Sequence, residues 1–318
     1  MIQYLKKEQG RLIEVKEPEV GCWVNISPPF SQAELAEVSE QHDIPLDFLT
    51  DSLDIDERTR YEREDEVRLI VLNTPIINES VREDESIYIT VPIGIILTIE
   101  HIFTITAYPN PVLDLFLKNK VKNFDPSDEQ LFVLQLFEKN VFRFLSCLKS
   151  LNLKRNHIER ELYDSSRNSD LRRLLAIEKS LVYFVNTLSA NDLLKLKMKR
   201  TDFLHIRKDE EKMDLFEDLI IDNSQALEMA NVYTNILNGT MEAYASIISN
   251  NLNVVIQRLT LITIILMVPT LIASFFGMNV GVPLGADTDS SFSFYAIVGI
   301  SLLVSLLLAW FFRWKKLI

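Results

Sequence analysis

Two long apolar runs near the C-terminus constrain this chain more than any other feature of its sequence. Residues 259–278 and 292–312 contain no charged side chain, and each run is about 20 residues long, enough to cross a hydrocarbon core of roughly 30 Å as a helix. A short polar loop, residues 279–291, joins them. The sequence therefore predicts a hairpin of two transmembrane helices.

The charges that flank these runs predict the orientation of the hairpin. Arg313, Lys315 and Lys316 lie in a basic tail, residues 313–318, whereas the loop between the runs contains no Lys or Arg. Because positively charged flanks stay on the cytoplasmic side, we expect a multi-pass protein of the cell (inner) membrane with both termini in the cytoplasm. The polar N-terminus, which shows no signal-peptide pattern, agrees with this orientation.

The chain before the first run predicts an α+β/α fold in three parts. Residues 1–125 mix β-rich segments with short helices and predict a cytoplasmic α/β domain with a mostly sequential sheet. A capping box of Ser31 and Glu34 marks the start of one helix. Residues 126–208 carry apolar side chains at helical spacing and predict a helical hairpin, and residues 209–258 predict a stalk helix that continues into the first span. The predicted strands are residues 22–26, 67–72, 86–92 and 93–106.

Composition excludes several classes of function. The net charge of −12 argues against binding to nucleic acid, which would require a basic face. The two cysteines, Cys22 and Cys147, are too few for a disulfide framework. No nucleophile-and-base pair, phosphate-binding loop or zinc-ligand spacing stands out, so we do not expect an enzyme.

One face of the first apolar run carries polar and small side chains in steps of three and four. A heptad-like seam of this kind is typical of helices packed side by side. The seam favours either a pore lined by the first spans of several subunits or plain packing through hydroxyl groups, which is common in membranes. Its members are Asn253, Ile256, Thr260, Thr263, Met267, Thr270 and Ser274.

The triplet Gly277-Met278-Asn279 closes the first run. Gly277 is placed to end the helix in a left-handed conformation, and Asn279 would then offer an amide oxygen at the outer mouth. A ring of such oxygens, one per subunit, would suit Mg²⁺, which keeps most of its water shell. An ordinary turn asparagine is the alternative.

Four acidic residues share a face of the predicted stalk. Glu210, Asp214, Asp218 and Asp222 are spaced by four, so their like charges repel unless cations or basic partners neutralise them. A solvated acidic face is an equally good interpretation of the spacing alone.

The triplet, with the preceding residues 269–276, a long stalk, an α/β head and a basic tail, resembles the CorA family of magnesium transporters over the whole chain. The resemblance implies a homopentameric funnel in membrane lipid whose first spans line a channel for divalent cations. It implies Mg²⁺ both as the transported ion, with Co²⁺ and Ni²⁺ as further substrates, and as a regulatory ion that closes the channel from the cytosol.

The resemblance also assigns roles to individual positions. It makes Gly277, Met278 and Asn279 the selectivity filter, and Glu242 an acidic ring on the stalk. It assigns the regulatory metal to Asp51 and Asp218. The implied pore-lining residues are Asn253, Ile256, Leu259, Thr263, Met267 and Thr270, with the constriction at Ile256 and Leu259.

One departure and two rival functions remain at this point. Many family members have an acidic residue directly after the triplet, whereas this chain has acids only at Asp287 and Asp289, so the role of its outer loop stays open. The nearest rival is a transporter of zinc or another divalent cation, although Met278 stands where the zinc-moving branch usually has Ile. A non-transporting membrane scaffold is the rival from a different class.

Overall fold

The computed structural model of the protein describes residues 1–79, 85–164, 168–278 and 291–315. The chain divides into two compact units, residues 1–241 and residues 242–318. The helix α6 (Glu210–Phe276) is 67 residues long and contributes to both units.

The first unit is a mixed α/β structure. Its described strands are β1 (Ile2–Glu8), β2 (Arg11–Val15), β3 (Trp23–Ile26), β4 (Arg60–Glu64), β5 (Val67–Ile77), β6 (Tyr88–Leu97) and β7 (Ile102–Ile105). Its described helices, besides the first part of α6, are α1 (Gln32–Gln41), α2 (Leu46–Asp51), α3 (Pro111–Leu117), α4 (Glu129–Asp164) and α5 (Asn168–Thr201).

The described strands form one sheet in the order β2-β1-β3-β7-β6-β5-β4. Most neighbours are antiparallel and follow one another in sequence, which confirms the predicted, mostly sequential sheet. There are two exceptions. The strands β1 and β3 are antiparallel but not consecutive in sequence, and β3 and β7 are parallel, with Trp23 paired with Ile102 and Ile26 with Ile105.

Both faces of the sheet are covered by helices, and this explains why β5 is apolar almost throughout. Leu69 and Val71 point to one face, where they pack in a cluster with residues of α1 and α2. Ile70 and Leu72 point to the other face, where the cluster includes residues of α3, α4, α5 and α6. The period of two along the strand thus separates two cores.

The end of α2 lies unusually close to the sheet at Gly94. A Cβ atom at Gly94 would lie 2.5 Å from Ser52 Cβ and 2.8 Å from Ile105 Cγ2. Ser52 is fully buried and its hydroxyl donates to the Phe48 carbonyl at 2.7 Å. Glycine is therefore required here by close approach and not by a turn.

The structure corrects the strand assignment in two places. The predicted break at Pro92 is wrong: β6 runs continuously through it, because Pro92 pairs with Asn73 of β5 while the register with β7 begins only at Gly94. The charged segment before Val67 and the polar N-terminus, neither of which was predicted as strand, form β4 and the β1–β2 hairpin at the two edges of the sheet. Edge strands tolerate charged side chains because one side faces water.

The long helices agree with the predicted pattern, and the Ser31–Glu34 capping box is present at the start of α1. The hairpin of α4 and α5 is fastened to the sheet by two buried amides. Asn140 of α4 and Asn191 of α5 both donate to the Asn73 carbonyl, at 3.0 and 3.1 Å. Buried amide donors of this kind fix position because leaving them unpaired would be costly.

The second unit contains the C-terminal part of α6 and the helix α7 (Ser291–Trp314). Both helices are long and apolar enough to cross a membrane. The predicted pair of spans is thus present as two helices of the expected type.

Candidate ion pathway and regulatory residues

Within the second unit, α7 packs along one face of the C-terminal part of α6. Leu261 of α6 and Ser301 of α7 are buried there. The Ser305 hydroxyl donates to the Ile265 carbonyl at 3.4 Å. The residues of α6 that are half-buried in this region are Ile265, Val268, Pro269, Ile272 and Phe276. With about 100° of rotation per residue, these positions and Leu261 form one stripe that faces α7.

The predicted pore-lining residues lie on a different face of the same helix. All six are exposed in the single chain, with exposed fractions of 51% for Ile256, 64% for Leu259 and 58% for Met267. By the same helical rotation their mean direction is roughly opposite to that of the stripe facing α7. The six residues are Asn253, Ile256, Leu259, Thr263, Met267 and Thr270, and we call this surface the pathway face.

The hydroxyl groups of the pathway face are bonded within their own helix. Thr263 donates to the Leu259 carbonyl at 2.8 Å, and Thr270 donates to the Leu266 carbonyl at 3.2 Å. Each hydroxyl oxygen keeps its acceptor lone pairs free to point away from the helix. These two hydroxyl groups therefore offer acceptors to a hydrated cation while their own donors are already satisfied.

The end of the first span differs from the prediction in one respect. Gly277 does not adopt the left-handed conformation. Instead, the helix closes with the Gly277 amide donating to the Ala273 carbonyl at 2.9 Å, followed by Met278 donating to Phe275 at 3.4 Å. Met278 is exposed. Asn279, and with it Asp287 and Asp289, lie outside the described residues.

Aromatic and basic side chains mark the end of α7. The rings of Trp310 and Trp314 are stacked at 6.3 Å between centroids, and the Lys315 ammonium lies 5.1 Å from the Trp314 ring centre. Rings of this kind sit at the boundary between lipid and water, and adjacent lysines reach the polar side.

The stalk residues predicted to meet cations occupy exposed positions on α6. Asp218 is exposed, while its neighbours Phe216 and Leu219 are buried in the core of the first unit. Glu242 is exposed as well, in the second unit. Because Phe216 and Leu219 turn their side of the helix into the core, the carboxylate of Asp218 is directed to solvent.

Asp51, the other predicted regulatory residue, already has a cationic partner. It is the last residue of α2, and its Oδ2 lies 3.1 Å from a terminal guanidinium nitrogen of Arg60. Arg60 also bonds to Glu57 and, at 3.3 Å, to Glu62. Sequence reasoning missed Arg60, although its place in a charged stretch directly after α2 was the available signal.

Asp51 and Asp218 do not form a ready metal site within one chain. Across the residues that the structure describes, no group of three or more His, Cys, Asp or Glu side chains is arranged to hold a metal ion. Any tight site that uses these carboxylates needs additional ligands from water or from another subunit.

Two apolar helices suited to a membrane, the first of which carries hydroxyl and amide side chains on the face turned away from the second, are typical of a membrane protein. A family model described as "CorA-like Mg2+ transporter protein" matches residues 18–316 of the chain. The chain belongs to this family of magnesium transporters. The match favours magnesium transport over the zinc transporter and the scaffold considered above, and the family is one of transporters.

Individual relatives agree with this placement. The chain is 25% identical over 314 residues to the cobalt/magnesium transport protein CorA of Methanocaldococcus jannaschii, covering 96% of each sequence. Its fold is similar to the complete structure of the CorA magnesium transporter from that organism, with a TM-score of 0.78, 21% identity, and coverage of 98% of this chain and 97% of that one. It is also similar to the full-length CmaX protein, with a TM-score of 0.67, 18% identity, and coverage of 98% of each chain.

Proposed function

We propose that this chain forms a channel for Mg²⁺ influx across the cell membrane, with the ion path along the pathway face of α6. The observation that carries the proposal is the separation of two faces on one helix. One stripe of α6 is covered by α7, and the residues implied as pore-lining lie together on the opposite, uncovered side.

A single copy of this helix cannot enclose a path, so the proposal requires several copies around an axis. Following the family resemblance, we propose a homopentamer in which the pathway faces of five α6 helices meet and α7 faces lipid. The exposed apolar residues Ile256 and Leu259 would then form a ring that closes the path by narrowing and dewetting.

The chemistry of the path suits a hydrated divalent cation. Rings of Asn279 amide oxygens would hold the ion through its water shell, and the Thr263 and Thr270 hydroxyl oxygens would accept hydrogen bonds from that shell. A ring of Glu242 carboxylates would attract cations at the stalk. Each positive charge gains about 2.3 kcal/mol per 100 mV of membrane potential, which drives Mg²⁺ inward. Co²⁺ and Ni²⁺, which can also move as hydrated ions, would share the path.

The proposed orientation places both termini in the cytoplasm. Arg313 and Lys315 follow the second span directly, and the rings of Trp310 and Trp314 would anchor that end at the membrane surface. The α/β domain (1–125), the hairpin (126–208) and the stalk (209–258) would then meet cytosolic Mg²⁺.

We further propose that cytosolic Mg²⁺ closes the channel by bridging Asp51 of one subunit and Asp218 of the next. The exposure of Asp218 and the absence, among the described residues of one chain, of a ready metal cluster both fit a site completed between subunits. Arg60 would act as the competing cation, since Mg²⁺ must share or displace its ion pair with Asp51.

Ion flux into liposomes that contain the purified full-length protein tests the channel. We expect influx of Mg²⁺, with Co²⁺ and Ni²⁺ also carried, and loss of this influx in Asn279→Ala. The matched control is Asn251→Ala, an exposed residue of α6 turned away from the pathway face. Zn²⁺ flux that depends on a proton gradient, or wild-type protein without any flux, would contradict the proposal.

The same liposomes test the feedback. Raising Mg²⁺ inside should inhibit influx through the wild-type protein and through the control Asp214→Ala, an exposed carboxylate one turn before Asp218. Asp51→Ala and Asp218→Ala should each keep the channel active at high internal Mg²⁺. Unchanged inhibition in both variants would refute the regulatory assignment and leave the channel itself standing.

A further inference from the structure

The first span contains one internal proline, and this residue leaves a specific carbonyl group without its helical donor. Pro269 lies inside α6 and has no backbone N–H. In an α-helix that N–H would bond to the carbonyl four residues earlier, which is the carbonyl of Ile265. In a lipid environment a carbonyl without a donor is costly, so membrane helices that contain proline supply a substitute from elsewhere.

The substitute donor comes from the second span. The Ser305 hydroxyl of α7 lies 3.4 Å from the Ile265 oxygen and 3.0 Å from the Ser301 oxygen of its own helix. A hydroxyl carries one proton. The Ser301 carbonyl also lies four residues before the Ser305 amide, which is its regular helical donor. The hydroxyl proton therefore contributes more at Ile265, where no helical amide is available.

Other hydroxyl groups of this unit behave differently. Ser301 donates to the Ile297 carbonyl at 2.8 Å, and Thr263 and Thr270 likewise bond to carbonyls of their own helix. Within the described part of the unit, Ser305 is the side chain whose hydrogen bond joins the two helices. Its position opposite the proline thus places a donor at the carbonyl that Pro269 leaves without one.

We infer that Ser305 is a positioning residue for ion transport, which fixes the first span at its proline by replacing the donor that Pro269 lacks. The inference rests on the proposed pathway along α6. Met267 and Thr270 of the pathway face flank Pro269 on either side, while the Ile265 carbonyl faces α7. A hydrogen bond at this carbonyl holds the rotation of α6 at the level where these two side chains meet the ion.

Amide hydrogen exchange of the full-length protein in lipid nanodiscs tests the bond without reference to transport. For the segment 264–274, Ser305→Ala should raise the exchange rate about fivefold, the equivalent of roughly 1 kcal/mol for one hydrogen bond. In a Pro269→Ala background the helix regains its own donor, so adding Ser305→Ala should change exchange less than about twofold. Ser301→Ala, the control within α7, should leave the segment unchanged.

Flux measurements on the same proteins test the positioning role. Ser305→Ala should reduce Mg²⁺ influx, and Ser305→Thr, which restores the hydroxyl, should recover it. In a Pro269→Ala background, adding Ser305→Ala should cause no further loss of Mg²⁺ influx. A helix that merely lost packing volume would not be rescued in this way.

The outcomes separate this inference from the proposed function. The inference about Ser305 would be overturned if Ser305→Ala changed exchange equally with and without Pro269, or if it had no effect in the wild-type background. Either result would overturn it even if transport is normal. Exchange coupling as expected, in a protein that carries no Mg²⁺, would support the bond while refuting the proposed function.

Discussion

Replacing Lys195 by methionine should change how the stability of the first unit responds to pH. Lys195 of α5 is completely buried. Its ammonium donates to Asn223 Oδ1 of α6 at 2.7 Å and lies 5.4 Å from the ring centre of Phe137 of α4. Asn223 in turn donates to Asp192 Oδ1 at 3.2 Å. The lysine thus sits where the three long helices of this unit meet.

Burial lowers the pKa of Lys195 from 10.5 to about 7, although the nearby Asp192 carboxylate opposes the shift. Between these two values the unfolded chain binds a proton that the folded protein does not, so stability rises as pH rises. The slope approaches about 1.4 kcal/mol per pH unit, and from pH 7.5 to 8.5 the gain is about 1 kcal/mol. Below pH 7 both states hold the proton and the contribution no longer changes.

Chemical denaturation of the full-length protein in detergent at pH 7.5 and 8.5 measures this gain. Lys195→Met should lose the contribution of about 1 kcal/mol. Lys197→Met, an exposed lysine two positions along the same helix, should keep it. Equal pH dependence in wild type and Lys195→Met would refute the argument, because it would mean that the buried lysine holds its proton throughout this range.

Two further predictions concern the first unit. Gly94→Ala should destabilise this unit by about 1–3 kcal/mol, because the new methyl group would overlap Ser52. Gly239→Ala should be neutral or stabilising, because its added Cβ has nothing within 4 Å. Thermal unfolding of the two variants measures the contrast, and equal effects would contradict this prediction. The ring centroids of His42 and His101 lie 5.2 Å apart, and burial lowers the pKa of both side chains. Stability should therefore fall as pH drops from the ordinary histidine value toward these lowered values, and an unchanged pH dependence in a variant with both replaced by Gln would contradict this.

The elements that follow a strong period were predictable from the sequence. The two apolar runs were readable from their length and lack of charge. The long helices and the strand at Val67 were readable from the apolar positions that they bury. The capping box of Ser31 and Glu34 was readable because its hydrogen bonds are local. The charged strand β4 could not be predicted from its own sequence, because an edge strand is specified by pairing with its neighbour and not by its own hydrophobicity.

Part of the candidate site was likewise predictable from the sequence, and part was not. Steps of three and four place Thr263, Met267 and Thr270 on one face of any helix, so that grouping could be predicted. The ion pair of Arg60 with Asp51 and the bond between Ser305 and Ile265 join residues of different elements. The charged stretch after α2 does not indicate which of its side chains meets Asp51, and no residue near Ser305 in the sequence indicates Ile265. Both contacts therefore required the tertiary arrangement.

The most direct test of the account asks which face of α6 meets the ion. Met267→Cys places a thiol on the pathway face and Val268→Cys places one on the stripe facing α7, one residue away, while the native Cys22 and Cys147 are buried. Mg²⁺ flux through each variant in liposomes would be measured before and after a positively charged, water-soluble thiol reagent. We expect the reagent to block flux through Met267→Cys and not through Val268→Cys. Block of Val268→Cys alone would place the path on the side of α6 that faces α7 and contradict the proposed pathway.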